Sequence, residues 1–399
     1  MLLGQAESGK STLQKQFQLF YASQTLDHER PSWRPVVYFN VIKAVRMILD
    51  ELDSDIVTSS HSDSSSEVSS TIRIGSPIYA GDLRTKLLPL IAIEDTLASN
   101  LNGGVSIAGG RPGVFVRSGW QALVTPKRSY ELPDLRKPSF DLKTTAMASV
   151  TNLAAKTLAG LVEEIEDLWQ HPAIRRLLRL HKLRLDEAAP FFLDNIRRLA
   201  EPDYMPTTDD ILNVRLQTLG VAEHRYDIVL GGVHYNWLMY DVGGARGMRH
   251  AWVPYFDDAT AIIFLAPMSA FDQYLEEDGR TNRIHDSLQL FTAICSNKLL
   301  KGAHLVLLLN KADLLKKKLE AGIKVRKYIT SFGDRRNNYE EVSEYFRAHF
   351  IQIHRRKDNW QRALYAHFTS MIDIEATQSI IGNVGEAVIR SHIAQTGLA

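Results

Sequence analysis

The chain has 399 residues, 45% of them apolar and 23% charged, with a formal net charge of +1, which is the balance of a soluble globular protein long enough for two domains. Such neutrality excludes a bulk electrostatic pull toward nucleic acid or an acidic membrane surface. The single cysteine, Cys295, excludes a disulfide framework and leaves no ligand set for a thiolate metal cluster.

Taken in chain order, residues 1–30 predict a short strand, a glycine-bearing turn and a helix through Gln14, Phe17 and Phe20. The opening Met1-Leu2-Leu3 has no secretory leader pattern and no glycine at position 2 for myristoylation. No apolar run approaches the ~18 residues of a membrane span, so the chain reads as cytoplasmic. A second helix is predicted over 35–52, with Val37, Val41, Ile42, Val45 and Ile48 on one face. Residues 54–70 are mostly serine, too polar to pack, and are expected to be disordered. Residues 82–101 predict a helix despite Pro89, followed by a Gly-rich and then Pro-punctuated run to Pro138. The whole of 53–140 reads as a long insertion with at most one or two ordered elements.

From 142 to 199 the period is helical again, with stripes at Leu158, Leu161, Val162, Ile165 and Leu168, then at Ile174, Leu177, Leu178 and Leu180. After Pro206 strand-length apolar runs at 235–240, 261–266, 305–309 and 364–368 alternate with helical stretches, the pattern of a largely parallel sheet covered on both faces. In the same apolar-periodic company as Leu290, Phe291 and Ile294, Cys295 is expected to be buried packing. A helical block, 31–206, thus interrupts an α/β domain made of 1–30 and 207–399.

Three motifs carry chemistry. Gly4-Gln5-Ala6-Glu7-Ser8-Gly9-Lys10-Ser11 fits GxxxxGK[ST]. Its glycines let backbone N–H groups turn in around a β-phosphate, Lys10 neutralises β/γ oxygens, and the Ser11 hydroxyl suits Mg²⁺. The following helix presents its positive end to the phosphates. This motif leaves ATP and GTP both open. Asn310-Lys311-Ala312-Asp313 follows an apolar strand, where α/β sheets bind ligands. A carboxylate there accepts from guanine N1–H and the 2-amino group, donors that adenine lacks in that position. Asn310 is suited to read N7 and tie the turn to the phosphate loop, and the Lys311 stem to cover the base. Asp241-Val242-Gly243-Gly244 ends another strand, placing Asp241 near a metal-bound water and the Gly244 N–H toward a γ-phosphate.

The order of these motifs, with a helical insertion and Arg215-Leu216-Gln217-Thr218 between the first and the others, resembles the alpha subunits of heterotrimeric G proteins. The resemblance covers essentially the whole chain outside 53–140. It implies a P-loop GTPase (Ras-like) parallel-sheet domain interrupted by an all-α helical domain. It further implies GTP or GDP as bound nucleotide, Mg²⁺ as cofactor, and a switch in a receptor-driven pathway. By resemblance the nucleotide contacts are Glu7, Ser8, Gly9, Lys10, Ser11, Thr12, Arg215, Thr218, Gly244, Asn310, Lys311, Asp313 and the Met371 N–H toward guanine O6. The metal ligands by resemblance are Ser11, Thr218 and Asp241. Arg215 and Lys10 are the implied catalytic cations. Arg246, Arg249 and Trp252 fall in switch II and Glu277-Asp278 in switch III, whose pairing would report the γ-phosphate. Implied partners are a G protein-coupled receptor at the carboxyl tail, the beta-gamma dimer at switch II and a downstream effector, at the inner face of the plasma membrane. No nucleic acid is implied.

The pattern also departs from that family. Ala245 stands where the family places the glutamine that orients the attacking water, and Ala6 replaces the second glycine of the phosphate loop. Both changes predict slow hydrolysis, or a nucleotide-holding interaction module. The guanine-capping loop reads Thr369-Ser370-Met371-Ile372 instead of Thr-Cys-Ala-Thr. Only Met1-Leu2-Leu3 precede Gly4, so the lipidated helix that in the family contacts beta-gamma is not expected in the sequence as written.

Overall fold

The computed structural model describes residues 1–60, 77–102, 115–116, 120–121, 138–179, 183, 185–230 and 232–396. Its contacts divide the chain into two compact units, one of Met1–Leu26 with Gln217–Ala399 and one of Asp27–Leu216. Strands in chain order are β1 (Leu2–Leu3), β2 (Phe115–Val116), β3 (Gln217–Thr218), β4 (Val221–Leu230), β5 (Val233–Val242), β6 (Ala261–Pro267), β7 (His304–Asn310) and β8 (Leu364–Phe368).

The first unit is built on a six-stranded sheet of order β4-β5-β1-β6-β7-β8. Pairing is parallel from β5 through β8, and β4 joins β5 as an antiparallel hairpin. Side chains alternate across the sheet. Leu3, Val242, Ile262, Phe264, Leu305, Leu307 and Leu309 point to one face, against Phe291 of α11 (Arg283–Ser296) and Phe346 and Phe350 of α13 (Tyr339–Lys357). Leu2, Ile263, Leu265, Val306 and Leu308 point to the other, against Leu13 and Phe17 of α1 (Lys10–Tyr21) and Ile381, Val384 and Val388 of α14 (Ile374–Thr396). Because β6 and β7 are covered on both sides, they read in sequence as unbroken apolar runs. Cys295 is buried as expected, and burial pushes its thiol up to about 12.

Strand β4 was absent from the sequence expectation. Its buried residues, Ala222, Tyr226 and Ile228, are separated by exposed Glu223, Arg225 and Asp227, so it presents alternation rather than an apolar run. The sheet is therefore mixed, with one antiparallel pair at its edge.

The second unit is helical: α2 (Ser23–Ser60, beginning in the first unit), α3 (Pro77–Ile91), α4 (Glu94–Leu101), α5 (Pro138–Gly160), α6 (Val162–Gln170), α7 (Pro172–Arg179), α8 (Ala189–Asp194), α9 (Ile196–Leu199) and α10 (Thr208–Asn213). Helix α2 is longer than the expected 35–52. It takes Pro31 and Pro35 inside it and carries helical backbone through Ser60, into the stretch expected to be disordered. The rest of that serine-rich stretch, 61–70, lies outside the described residues, as does much of the insertion. The single helix expected at 82–101 is two, split at Ala92-Ile93, and Glu94 at the start of α4 is buried against Arg46 Nε at 2.7 Å.

Sequence reading placed the return to the α/β domain at 207; the contact boundary falls after Leu216. The reason is Asp210, fully buried at the third position of α10, where it completes a capping box with Thr207. Its carboxylate takes Arg198 through both oxygens at 2.8 and 2.7 Å and the Tyr204 hydroxyl at 2.9 Å. Burial opposes its charge, but Arg198, the Thr207 N–H and Tyr204 prevail and hold it below the usual carboxylate range. Asp210→Ala is expected to cost about 2–3 kcal/mol of stability, less than a wholly buried pair because Arg198 reaches solvent, and chemical denaturation measures it.

Candidate functional site

Strand β1 delivers the chain to residues 4–9, which turn into the first turn of α1. Gly4 and Gly9 have φ of 145° and 103°, and Glu7 has φ of 60°, so the loop depends on backbone shapes that glycine allows. A Cβ on Gly9 would lie 2.2 Å from Asn310 Nδ2. Lys10 is buried and donates to the carbonyls of Gly4 at 3.0 Å and Gln5 at 2.7 Å, folding back over its own loop. Burial pushes its pKa down to about 8; Asp241 opposes this, while Arg249, Arg283 and Lys311 add to it. Lys10, with Arg249, Arg283 and Lys311 close enough to be felt, gathers positive charge at a helix N-terminus, an arrangement that favours phosphate oxygens. Ser8 is fully buried and its hydroxyl has no hydrogen-bond partner. Thr12 follows Ser11 in the first turn of α1.

Ser11, Thr218 and Asp241 come together. Asp241 Oδ2 accepts from the Ser11 hydroxyl at 2.7 Å and the Thr218 hydroxyl at 3.0 Å, and the two hydroxyls are 3.0 Å apart. Asp241 is buried, and among the described residues its other oxygen, Oδ1, has no partner. A buried carboxylate oxygen without a partner beside two hydroxyls fits a divalent cation. Among the described residues no group of three His, Cys, Asp or Glu is placed to hold a metal. A cation here would draw its remaining oxygens from phosphate and water, the habit of Mg²⁺.

Past Asp241 the chain is tightly fixed. Gly243 N–H donates to the Gly220 carbonyl at 2.8 Å, and buried Trp252 donates to the Gly243 carbonyl at 2.9 Å. A Cβ on Gly244 would meet the Ala6 nitrogen and the Gln5 carbonyl carbon, both at 2.4 Å, so glycine is required for the two loops to approach. Ala245 then opens the segment Arg246–Tyr255. Arg246 makes the expected pairing, with its N–H on Glu277 Oε1 at 3.0 Å and its guanidinium on Asp278 at 3.1 Å. Hydrogen bonds from Thr281 and the Arg280 N–H, reinforced by Arg246, hold exposed Asp278 well below the usual carboxylate range. Arg249 does not join that acidic pair. It forks onto Asp286 at 3.0 and 2.5 Å, a buried carboxylate in the first turn of α11 that competes better than an exposed one.

At the end of β7, Asn310 Nδ2 donates to the Ser8 carbonyl at 2.8 Å, the tie to the phosphate loop that the sequence suggested. Its Oδ1 accepts from Met371 N–H at 3.2 Å and the Thr369 hydroxyl at 3.3 Å. The Met371 N–H, expected to face guanine O6, is thus used inside the protein, because the Asn310 oxygen reaches it first. Lys311 adopts φ of 63°, and the Asp313 N–H is held by Ser370 Oγ at 3.1 Å in the first turn of α12 (Ala312–Glu320).

Arg215 belongs to the helical unit. Asn40 grips its backbone from both sides, accepting its N–H at 3.1 Å and donating to its carbonyl at 3.3 Å. Its guanidinium is ion-paired with Asp186, which also takes Lys43 at 2.7 Å. Sequence reading gave no role to Asp186, Asn40, Arg283 or Gln5. Each is a single polar residue whose partner lies tens to hundreds of positions away; Gln5 lies inside the phosphate-loop motif and Arg283 inside a stretch, 282–287, that resembles the G protein alpha family.

A largely parallel sheet whose first strand leads into a GxxxxGK[ST] loop, with DVGG and NKxD turns at the ends of β5 and β7, defines a P-loop nucleoside-triphosphate-binding fold. The G-protein alpha subunit family model matches residues 1–388, and the chain belongs to that family. It is 30% identical to the guanine nucleotide-binding protein alpha-4 subunit of Mycosarcoma maydis, across 100% of this chain and 83% of that protein. It is also 28% and 29% identical to the alpha-13 subunits of Mus musculus and Homo sapiens, across 99% of this chain and 85% of each.

The crowding at Gly9 is testable without assigning any chemistry. Gly9→Ala, strained at φ 103° and driven into Asn310, is expected to weaken nucleotide binding by about tenfold or more, read by calorimetric titration.

Proposed function

We propose that this chain is a guanine-nucleotide-binding signal transducer that holds GDP or GTP with Mg²⁺ on residues 4–12 and hydrolyses GTP slowly. The observation that carries the reading is the Asn310 bridge, which joins an NKxD turn to the phosphate loop within one unit. The relatives named above, which are guanine-nucleotide-binding proteins by name, support it.

In this reading a GTPase domain, 1–30 with 207–399, is interrupted by a helical domain, 31–206; the contact-based units, Met1–Leu26 with Gln217–Ala399 and Asp27–Leu216, differ from it at the boundaries. Asp313 receives the guanine edge. Lys10 leaves its two carbonyls for β/γ oxygens, and the Gly244 N–H meets the γ-phosphate. Ser11, Thr218 and Asp241 hold the cation, which when bound neutralises phosphate charge. Arg215 stabilises charge building on the transferred phosphoryl group, once free of Asp186.

Hydrolysis is slow because Ala245 has no group to orient water. The side-chain oxygens of Gln5 and Gln273 accept from Arg283 and are not free to take its place. Ala6 adds a methyl where Gly244 already packs against the loop backbone. The same two alanines favour a second reading, a nucleotide-holding module that acts through protein contacts. The partners follow the family: a receptor at the carboxyl tail, beta-gamma at 246–255, and an effector. Among the described residues no helix is long and apolar enough to cross a membrane, so the proposed place at the plasma membrane is peripheral.

Single-turnover hydrolysis of labelled GTP separates the two readings. Slow phosphate release is expected, lowered about a hundredfold or more in Arg215→Ala. Ala245→Gln is expected to accelerate it. Full GTP occupancy with no release from any of the three proteins would favour the module.

A further inference from the structure

Arg283 opens α11, is 7% exposed, and directs its guanidinium at one short stretch of chain. Its Nε donates to Gln5 Oε1 at 2.9 Å and its Nη2 to the Ala6 carbonyl at 2.5 Å. Its Nη1 donates to Glu7 Oε2 at 2.6 Å and to Gln273 Oε1 at 2.8 Å. Gln5, 1% exposed, returns the contact by donating Nε2 to the Arg283 carbonyl at 2.6 Å. Consecutive loop residues 5, 6 and 7 are thereby fastened to one side chain on a rigid helix. The planar fork makes this possible, since a lysine ammonium cannot serve several acceptors in fixed directions at once.

The clamp lies behind the groups that meet phosphate. Arg283 spends its N–H groups on protein acceptors, yet its charge is felt at Lys10, where it helps lower the pKa. The same first turn carries Asp286, which holds Arg249, so one helix end secures both the phosphate loop and the segment after Gly244. Glu7 supplies the compensating carboxylate, and its side chain is 25% exposed against 9% for Arg283.

We propose that Arg283 and Gln5 are positioning residues for nucleotide retention, a buried clamp that keeps residues 5–7 in their phosphate-accepting shape. The proposal rests on reading residues 4–11 as the phosphate loop. A loop held in its bound shape loses little conformational freedom when nucleotide enters, so the clamp slows nucleotide departure. It acts on nucleotide binding.

The test is release of a fluorescent GDP analogue, loaded with Mg²⁺ and chased with excess unlabelled GTP, in the wild-type chain, Gln5→Ala and Arg283→Lys. Losing the two Gln5–Arg283 hydrogen bonds is expected to speed release about five- to tenfold in Gln5→Ala. Arg283→Lys is expected to release at least as fast, and the double variant slower than the product of the two effects, because both act on one network. Faster release in Gln5→Ala with a melting temperature within about 2 °C of wild type is the signature of a positioning role and not of a merely structural one. Wild-type release rates in both variants, with or without a lowered melting temperature, would overturn the clamp while leaving nucleotide binding in place. Failure of the wild-type chain to retain the analogue at all would overturn the clamp and the proposed function together.

Discussion

The Asn310 side-chain amide is the contact on which the site depends. From the end of β7 it donates to the phosphate loop and accepts from the 369–371 turn, so one planar group sets the spacing of three segments far apart in sequence. It fits only because Gly9 lacks a Cβ, and Gly9 adopts its φ only because it lacks one. The parallel pairing of β1, β6, β7 and β8 brings these turns to one edge of the sheet, where strand ends leave backbone groups for a ligand. Packing from both faces makes that edge rigid.

Electrostatics around the loop are set by burial. Lys10 is held in a dry setting with several cations near it, and Asp241 is the carboxylate that balances them. Asp241 also gathers the Ser11 and Thr218 hydroxyls on one oxygen while the other stays without a partner. A buried polar atom in that condition is costly unless something completes it, and a cation with phosphate oxygens would do so. Ala245, which follows Gly244, has no polar atom, and the side-chain oxygens of Gln5 and Gln273 are committed to Arg283.

Sequence made the phosphate loop, the NKxD turn and the buried strands legible because each is local: a few adjacent residues fix both the backbone shape and its chemistry. Strands β6 and β7 were readable as apolar runs, whereas β4, half exposed, hid its three buried residues among charges. Helix α2 starts before its expected limit because Pro31 and Pro35 are accommodated inside the helix. Within the site, the family resemblance implied Arg246 and Arg249 beside Glu277 and Asp278; Arg246 pairs so, while Arg249 takes Asp286 and the Met371 N–H takes Asn310. Those choices depend on burial and competing acceptors, which no short motif encodes. The clamp of Arg283 on Gln5 spans 278 positions and is invisible until the fold brings it together.

The central claim is that the Asn310-centred site holds a guanine nucleotide, and competition binding tests it most directly. Fluorescent GDP bound to the wild-type chain in Mg²⁺ would be challenged with GDP, GTP, ADP and ATP. The account predicts displacement by the guanine nucleotides alone, and loss of that preference in Asp313→Ala. Displacement by ADP at the same concentration as GDP would contradict it.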